Sequence, residues 1–170
     1  MDLKEVDNLV LIIGKTEGHI DQSLFARTIL DEKNGPPPEV NLFNEKNNGE
    51  SILNLIDKGY VKSAHDISLG GLLVAISKMC IKGNKGIKIN KSKNLINEIE
   101  YFFAEDQGRY LIEVNKEDLK EVTKILNKNS VHHEELGIIT QNDMIINEKT
   151  KVTIDELKSY YTNWLSKYMS

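Results

Sequence analysis

The stretch Ala64-His65-Asp66-Ile67-Ser68-Leu69-Gly70-Gly71 holds the densest set of groups in the chain that could do chemistry: an imidazole, a carboxylate, a hydroxyl and two glycines. A short strand over Val61 to Ala64 would deliver His65 and Asp66 to its end. Ser68 would then cap a helix over Leu72 to Ile81, with Gly70 and Gly71 in its first turn. Glycines let a backbone approach a ligand closely, and a helix start offers unpaired N–H groups at the positive end of its dipole. Such a turn suits a phosphate or another anion. The spacing matches neither the nucleotide P-loop nor the dinucleotide GxGxxG pattern. The competing reading, which composition alone favours, is a tight strand-to-helix turn in which the glycines permit close packing and Asp66 ties down backbone amides.

A second constellation is Ala104-Glu105-Asp106-Gln107-Gly108-Arg109, between apolar runs at Tyr101 to Phe103 and Tyr110 to Val114 that both read as strands. Two carboxylates, an amide and a guanidinium could bind a polar ligand or magnesium, which takes oxygen ligands. Set against this is a charged hairpin loop with a Glu105–Arg109 surface pair worth under about 1 kcal/mol. His132-His133-Glu134-Glu135 looks like a metal cluster, but neighbouring side chains on a strand point to opposite faces, so a solvated strand edge is the better reading. Cys80 is the single cysteine. It sits on an apolar helix face, which excludes a disulfide framework and a CxxC motif and argues for an inert buried thiol. No Ser-His-Asp or Cys-His arrangement can be assembled.

The elements that must position these groups follow from periodicity. Leu9 to Ile13 is a continuous apolar run suited to a strand buried on both faces. Asp21 is placed to cap a helix over Gln22 to Leu30, with Leu24, Phe25, Thr28 and Ile29 on one face. Pro36-Pro37-Pro38 forms a rigid loop. Asn41 is placed to cap a second helix that Asn47-Asn48-Gly49 would interrupt. Gly86 to Asn90 alternates as a strand, Lys116 to Leu126 reads as a helix with Leu119, Val122, Thr123 and Leu126 inward, and Val131 and Gly137 to Thr140 read as strand. Met144 to Val152 suits a small hairpin. Asp155 starts a terminal helix whose Tyr160, Trp164 and Tyr168 stripe is expected in the core. Helices and strands mix without strict alternation, so the expected fold is α+β: a mixed, largely antiparallel sheet flanked by helices.

The chain has 170 residues, one domain's worth, with 22 basic and 26 acidic side chains and a net charge of -4. A broad nucleic-acid face is not expected from that balance. No apolar run approaches the length of a membrane span, and the acidic opening MDLKEVDN does not read as a signal peptide, so a cytoplasmic protein is expected.

Several segments together resemble a known family. Ser63 to Leu72 followed by Val74-Ala75 is similar to the AHDxSDGGLxVAL signature of the phosphoribosylformylglycinamidine synthases. Phe103 to Val114 (FAEDQGRYLIEV) resembles their F-(S/G)-E-(S/D)-Q-G-R-(Y/F)-L-V loop and strand. Gly14 to Ser23 resembles GxTxGHLGQS, and Gly35 to Pro38 and Val152 to Met169 fall where that family has a G-x-P-P loop and a last helix. The likeness runs the length of the chain, in order. It is to one domain of a longer enzyme, the second carboxy-terminal-type domain of the aminoimidazole ribonucleotide synthase superfamily, so residues 1–170 are expected to be a single domain, excised or encoded by a split gene.

The resemblance implies an ATP-dependent carbon–nitrogen ligase. It makes formylglycinamidine ribonucleotide from formylglycinamide ribonucleotide, ATP and glutamine-derived ammonia in purine biosynthesis. ATP and magnesium serve the full enzyme and neither is required by this domain alone, which is expected to be inactive by itself. Implied partners are the remaining synthetase domains, a glutaminase and small accessory subunits, with neither nucleic acid nor membrane. A homodimer of the fragment and a purely structural interaction domain both stay open as alternatives. The resemblance carries a substrate- or phosphate-binding role onto His65, Asp66, Ser68, Gly70, Gly71, Glu105, Gln107 and Arg109, with no catalytic residue and no metal ligand in this chain. Leu69 stands where the family has Asp, removing one carboxylate from the turn. The EDQGRY and TEGHIDQS segments argue against a thiamine-phosphate kinase or a hydrogenase-maturation protein.

Overall fold

Five consecutive apolar residues, Leu9–Ile13, are all buried and form β1, as a strand covered on both faces requires. Val10 and Ile12 face one side of the sheet, and Leu9, Leu11 and Ile13 face the other. The computed structural model describes residues 1–90 and 97–169, with the side chains of 164–167 left out. Within it β1 is an interior strand of a seven-stranded sheet with β2 (Val61–Asp66), β3 (Gly86–Ile89), β4 (Tyr110–Val114), β5 (His133–Thr140), β6 (Asp143–Ile146) and β7 (Thr150–Thr153). The order is β2-β4-β1-β5-β3-β6-β7. Each pairing is antiparallel except that of β3 with β6. The fold is therefore α+β, a mixed and largely antiparallel sheet with helices on it, as expected.

Both faces are covered. Helix α1 (Leu42–Asp57) brings Ile52 and Leu55, and a later helix (Leu119–Lys128) brings Val122 and Leu126, onto the Leu9/Leu11/Ile13 side. On the opposite side α2 (Gly71–Gly83) packs Leu72, Ile76, Met79 and Cys80 against Val10, Ile12, Ile87 and Leu111. The Glu98–Phe103 helix is α3, which makes the Leu119–Lys128 helix α4, and Ile154–Met169 is α5. Burial pushes the Cys80 thiol up to about 12, so it is inert at neutral pH.

The structure departs from the sequence reading in several places. Tyr101 to Phe103 is the end of a helix. Asn97 accepts a hydrogen bond from the Glu100 amide at 2.9 Å and caps α3, and Tyr101 and Phe102 turn into the core from it. The helix expected over Gln22 to Leu30 begins only at Leu24 and is π-helical over Ala26–Leu30. Gln22 is left-handed (φ 61°), which stops a cap at Asp21, and the Ser23 hydroxyl accepts the Ala26 amide instead. Ile29 points to solvent.

Asn47-Asn48-Gly49 does not interrupt α1, because Asn48 is buried and its amide donates to the Gly108 carbonyl at 3.0 Å. Asn41 caps that helix as its type and position suggest, accepting the Asn44 amide. In α4, Thr123 is only half-buried. Tyr160 and Tyr168 on α5 are 74% and 82% exposed, so these members of the terminal aromatic stripe do not belong to the core of this chain. The Trp164 and Leu165 side chains lie outside the described residues. The hairpin expected from Met144 to Val152 is β6 and β7.

Candidate functional site

β2 ends at Asp66, and the chain must reverse over Ile67 to Gly70 to start α2 beneath the sheet. Gly70 and Gly71 both adopt positive φ, at 88° and 71°. A Cβ at Gly71 would lie 2.7 Å from the Ala104 carbonyl oxygen, so only glycine lets this turn seat against the end of α3. That contact brings the two glycines to the loop after α3, which satisfies the first of them, while the turn itself satisfies the second. The Gly70 amide donates to Glu105 Oε1 at 2.8 Å, and the Gly71 amide to the Ser68 carbonyl at 2.9 Å. The N-cap of α2 is Gly70 with no side-chain cap, in place of Ser68. The anion expected at this helix start is thus the chain's own Glu105 carboxylate.

Glu105 does more than cap. The same oxygen accepts the Leu24 amide at 2.7 Å, and the Glu105 amide donates to the His19 carbonyl at 3.1 Å. Next to it Asp106, buried, gathers the opening loop. Its Oδ2 accepts the amides of Glu17 (3.0 Å) and Gly18 (3.2 Å), and its Oδ1 that of His19 (3.0 Å). Arg109 is fully buried behind them. It donates to the Ala104 carbonyl at 2.6 Å and to Thr16 Oγ1 at 3.0 Å, and lies 3.7 Å from Asp106 Oδ2. Burial lowers the Arg109 pKa, and Asp106 offsets that only in part. The exposed Glu105–Arg109 pair considered from sequence does not form, because both side chains are drawn inward to backbone groups. Three segments that are far apart in sequence, residues 16–24, 68–71 and 104–109, are therefore one hydrogen-bonded unit.

Beside that unit lies a cleft of about 580 Å³. Its walls come from the opening loop (Lys15, His19), the first turns of α1 (Asn41, Asn44), the tip of the carboxylate loop (Gln107) and the turn that leads into β5 (His132). The lining mixes cationic, acidic and amide groups, with Glu17, Glu39 and Glu45 among the acids. Such a surface can orient a polar molecule by hydrogen bonds. The His19 ring also reaches the Pro36 carbonyl at 3.0 Å, which fixes the triple-proline loop at the cleft mouth.

Of the Glu105 to Arg109 constellation singled out in the sequence, Asp106, Gln107 and Gly108 line this cleft; Glu105 and Arg109 stand behind it and hold its loops in place. His65, Asp66 and Ser68 sit apart, at the end of β2. His65 is buried with Nδ1 3.0 Å from Asp66 Oδ1. The Ser68 hydroxyl donates to Asp66 and, with His65, lowers its pKa below the usual carboxylate range. Sequence reasoning missed His19, Asn41, Asn44 and His132 as cleft residues. His19 stood in plain view in the opening motif, whereas His132 and the asparagines meet it only through the fold.

Among the described residues no group of three His, Cys, Asp or Glu is placed to hold a metal ion. Asp106 offers both of its oxygens to backbone amides, and Glu105 Oε1 is taken by the amides of Gly70 and Leu24, so this donor set does not fit magnesium.

Comparison with known proteins matches residues 5–147 to the model of the AIR synthase related protein, C-terminal domain. The chain is 66% identical over 169 residues to the phosphoribosylformylglycinamidine synthase subunit PurL of Pelagibacter ubique, covering 99% of this chain and 23% of that protein. It is 36% identical over 155 residues to the same subunit of Caldanaerobacter subterraneus, covering 91% of this chain and 21% of that one. The chain thus spans less than a quarter of the length of these relatives. Among solved structures, PurL of Thermotoga maritima complexed with FGAR superposes with a TM-score of 0.74 at 19% identity, over 92% of this chain and 28% of that one. A thiamine-monophosphate kinase from Stenotrophomonas maltophilia superposes with 0.58 at 11% identity, over 86% and 52%. At these identities both show a shared fold.

Two outcomes are expected. Asp106→Ala would strand three amides and a buried guanidinium, and should lower stability by about 3–5 kcal/mol in urea titration, with Asp106→Asn losing less. Because the Asp66 pKa is lowered in the folded state, its contribution is present above the usual carboxylate range and lost as pH falls through the lowered value. Ser68→Ala should move the Asp66 midpoint up toward the ordinary carboxylate range, read by carboxyl carbon NMR.

Proposed function

Since the chain belongs to the family of the AIR synthase related protein, C-terminal domain, we propose that it is one domain of a phosphoribosylformylglycinamidine synthase. That enzyme is an ATP-dependent ligase converting formylglycinamide ribonucleotide, with glutamine-derived ammonia, to its amidine in purine biosynthesis. The observation that carries this reading is the clamp: the carboxylates of Glu105 and Asp106 are engaged by the domain's own amides, while Gln107 and its neighbours keep a polar cleft open. A domain built this way holds shape and presents polar groups. It does not itself gather a nucleotide's phosphates and metal.

In this reading ATP and magnesium belong to parts of the synthetase outside this chain, and the fragment alone is inactive. His65, Asp66, Ser68, Gly70, Gly71, Glu105 and Arg109 act as positioning residues, and Gln107 is the member of the set that reaches a ligand. The partners are the remaining synthetase domains, a glutaminase and small accessory subunits. A Thermotoga maritima structure named PurLQS supports such an assembly for that protein. A cytoplasmic location accords with the biosynthetic role; among the described residues no helix is long and apolar enough to cross a membrane.

The test is reconstitution. The Pelagibacter ubique subunit lacking the segment this chain matches, mixed with glutaminase and this chain, should regain amidine formation that neither part shows separately. Turnover by this chain alone, or a mixture that stays dead while the intact relative is active, would contradict the proposal.

A further inference from the structure

Helix α1 carries two apolar faces, and the fold uses one. Asn48, Ser51, Ile52 and Leu55 are buried against the sheet and the cleft loops. On the outward side Leu42, Leu53 and Ile56 are 75%, 61% and 44% exposed. At 3.6 residues per turn these three and Gly49 fall within an arc of about 60°, a stripe about 21 Å long. Phe43 and Val40, both exposed, add apolar surface beside it at the start of the helix. Exposed apolar residues recurring along one face of a helix mark a surface that packs on something else.

Gly49 sharpens the point. Glycine is among the poorest helix formers, and an interior glycine normally has a steric reason. Here a Cβ at position 49 would meet nothing within 4 Å, so this chain's own packing does not require it. Its absent side chain leaves a notch midway between Leu42 and Ile56, of the kind that lets another backbone approach closely. Lys46 and Glu50, an ion pair at 3.8 Å, rim the notch.

We propose that this stripe is the seat of an apolar helix or ridge from the remainder of the synthetase, a partner chemistry that rests on the function proposed above. Two observations favour that occupant. The chain spans 23% of the length of its 66%-identical relative, so over three quarters of that polypeptide lies outside the fold described here. The stripe also belongs to the helix whose first turns line the cleft through Asn41, Asn44 and Asn48. A neighbour seated on Leu42 and Leu53 therefore stands at the cleft rim, where a second domain would complete a site.

Immobilised chain is titrated with the Pelagibacter ubique subunit lacking the matching segment. The wild type should bind, and Leu53→Asp and Gly49→Leu should each weaken binding at least about tenfold, as truncating a central contact does. Ile99→Asp, an exposed apolar site on α3, should stay within about twofold. Thermal melts of the free variants separate docking from folding: Gly49→Leu, a better helix former, should melt no lower than wild type. Binding unchanged in both stripe variants would overturn this surface and leave the proposed function standing. Failure of the wild type to bind would overturn both. Sedimentation showing a dimer that Leu53→Asp dissociates, with no binding to the truncated subunit, would assign the stripe to a second copy and overturn the proposal.

Discussion

A carboxylate surrounded by backbone amides is the constraint from which the rest of this structure follows. Backbone N–H groups at a helix start and in a tight glycine loop need partners, and leaving them buried and unpaired costs on the order of 1–3 kcal/mol each. Glu105 and Asp106 answer that need for two turns at once, and Arg109 behind them balances charge in a place water does not reach. The three glycine-containing segments are therefore mutually dependent. None can take its conformation without the carboxylates, and the carboxylates cannot be buried without those amides.

The sheet supplies the platform. β2 and β4 are paired so that His65 opposes Leu111 and Asp66 opposes Tyr110, which sets the ends of the AHDIS and EDQGR segments side by side. β1 lies next to β4, with Ile13 opposite Tyr110, so the opening loop leaves the sheet at the same edge. Three loops emerging at one end of three neighbouring strands is what lets a pair of adjacent carboxylates reach all of them. The cleft is the by-product: its walls are the parts of those loops that the clamp leaves facing outward, closed on the far side by α1.

Much of this was legible in the residues. The LVLII run specified a strand buried on both faces, Asn41 marked a helix start, and Met144 to Val152 read as the hairpin it is. The glycine turn could be read either as an anion site or as a tight packing turn, and its Gly70 amide meets a carboxylate of the chain itself. That occupant was not legible, because Glu105 is distant in sequence from Gly70 and only tertiary pairing joins them. Tyr101 to Phe103 misled through its aromatic composition, where the Asn97 cap decided for helix. Tyr160 and Tyr168 misled differently: helical spacing says that a face will be covered, without saying by which chain.

Amide hydrogen exchange at Gly70 and Leu24 addresses the clamp most directly, since one carboxylate oxygen protects both. In the intact chain both amides should exchange slowly, and Glu105→Ala should release the two together while amides in the centre of β1 keep their protection. Slow exchange at Gly70 that survives removal of the Glu105 carboxylate, or loss at one amide without the other, would mean that the glycine turn is held by something else.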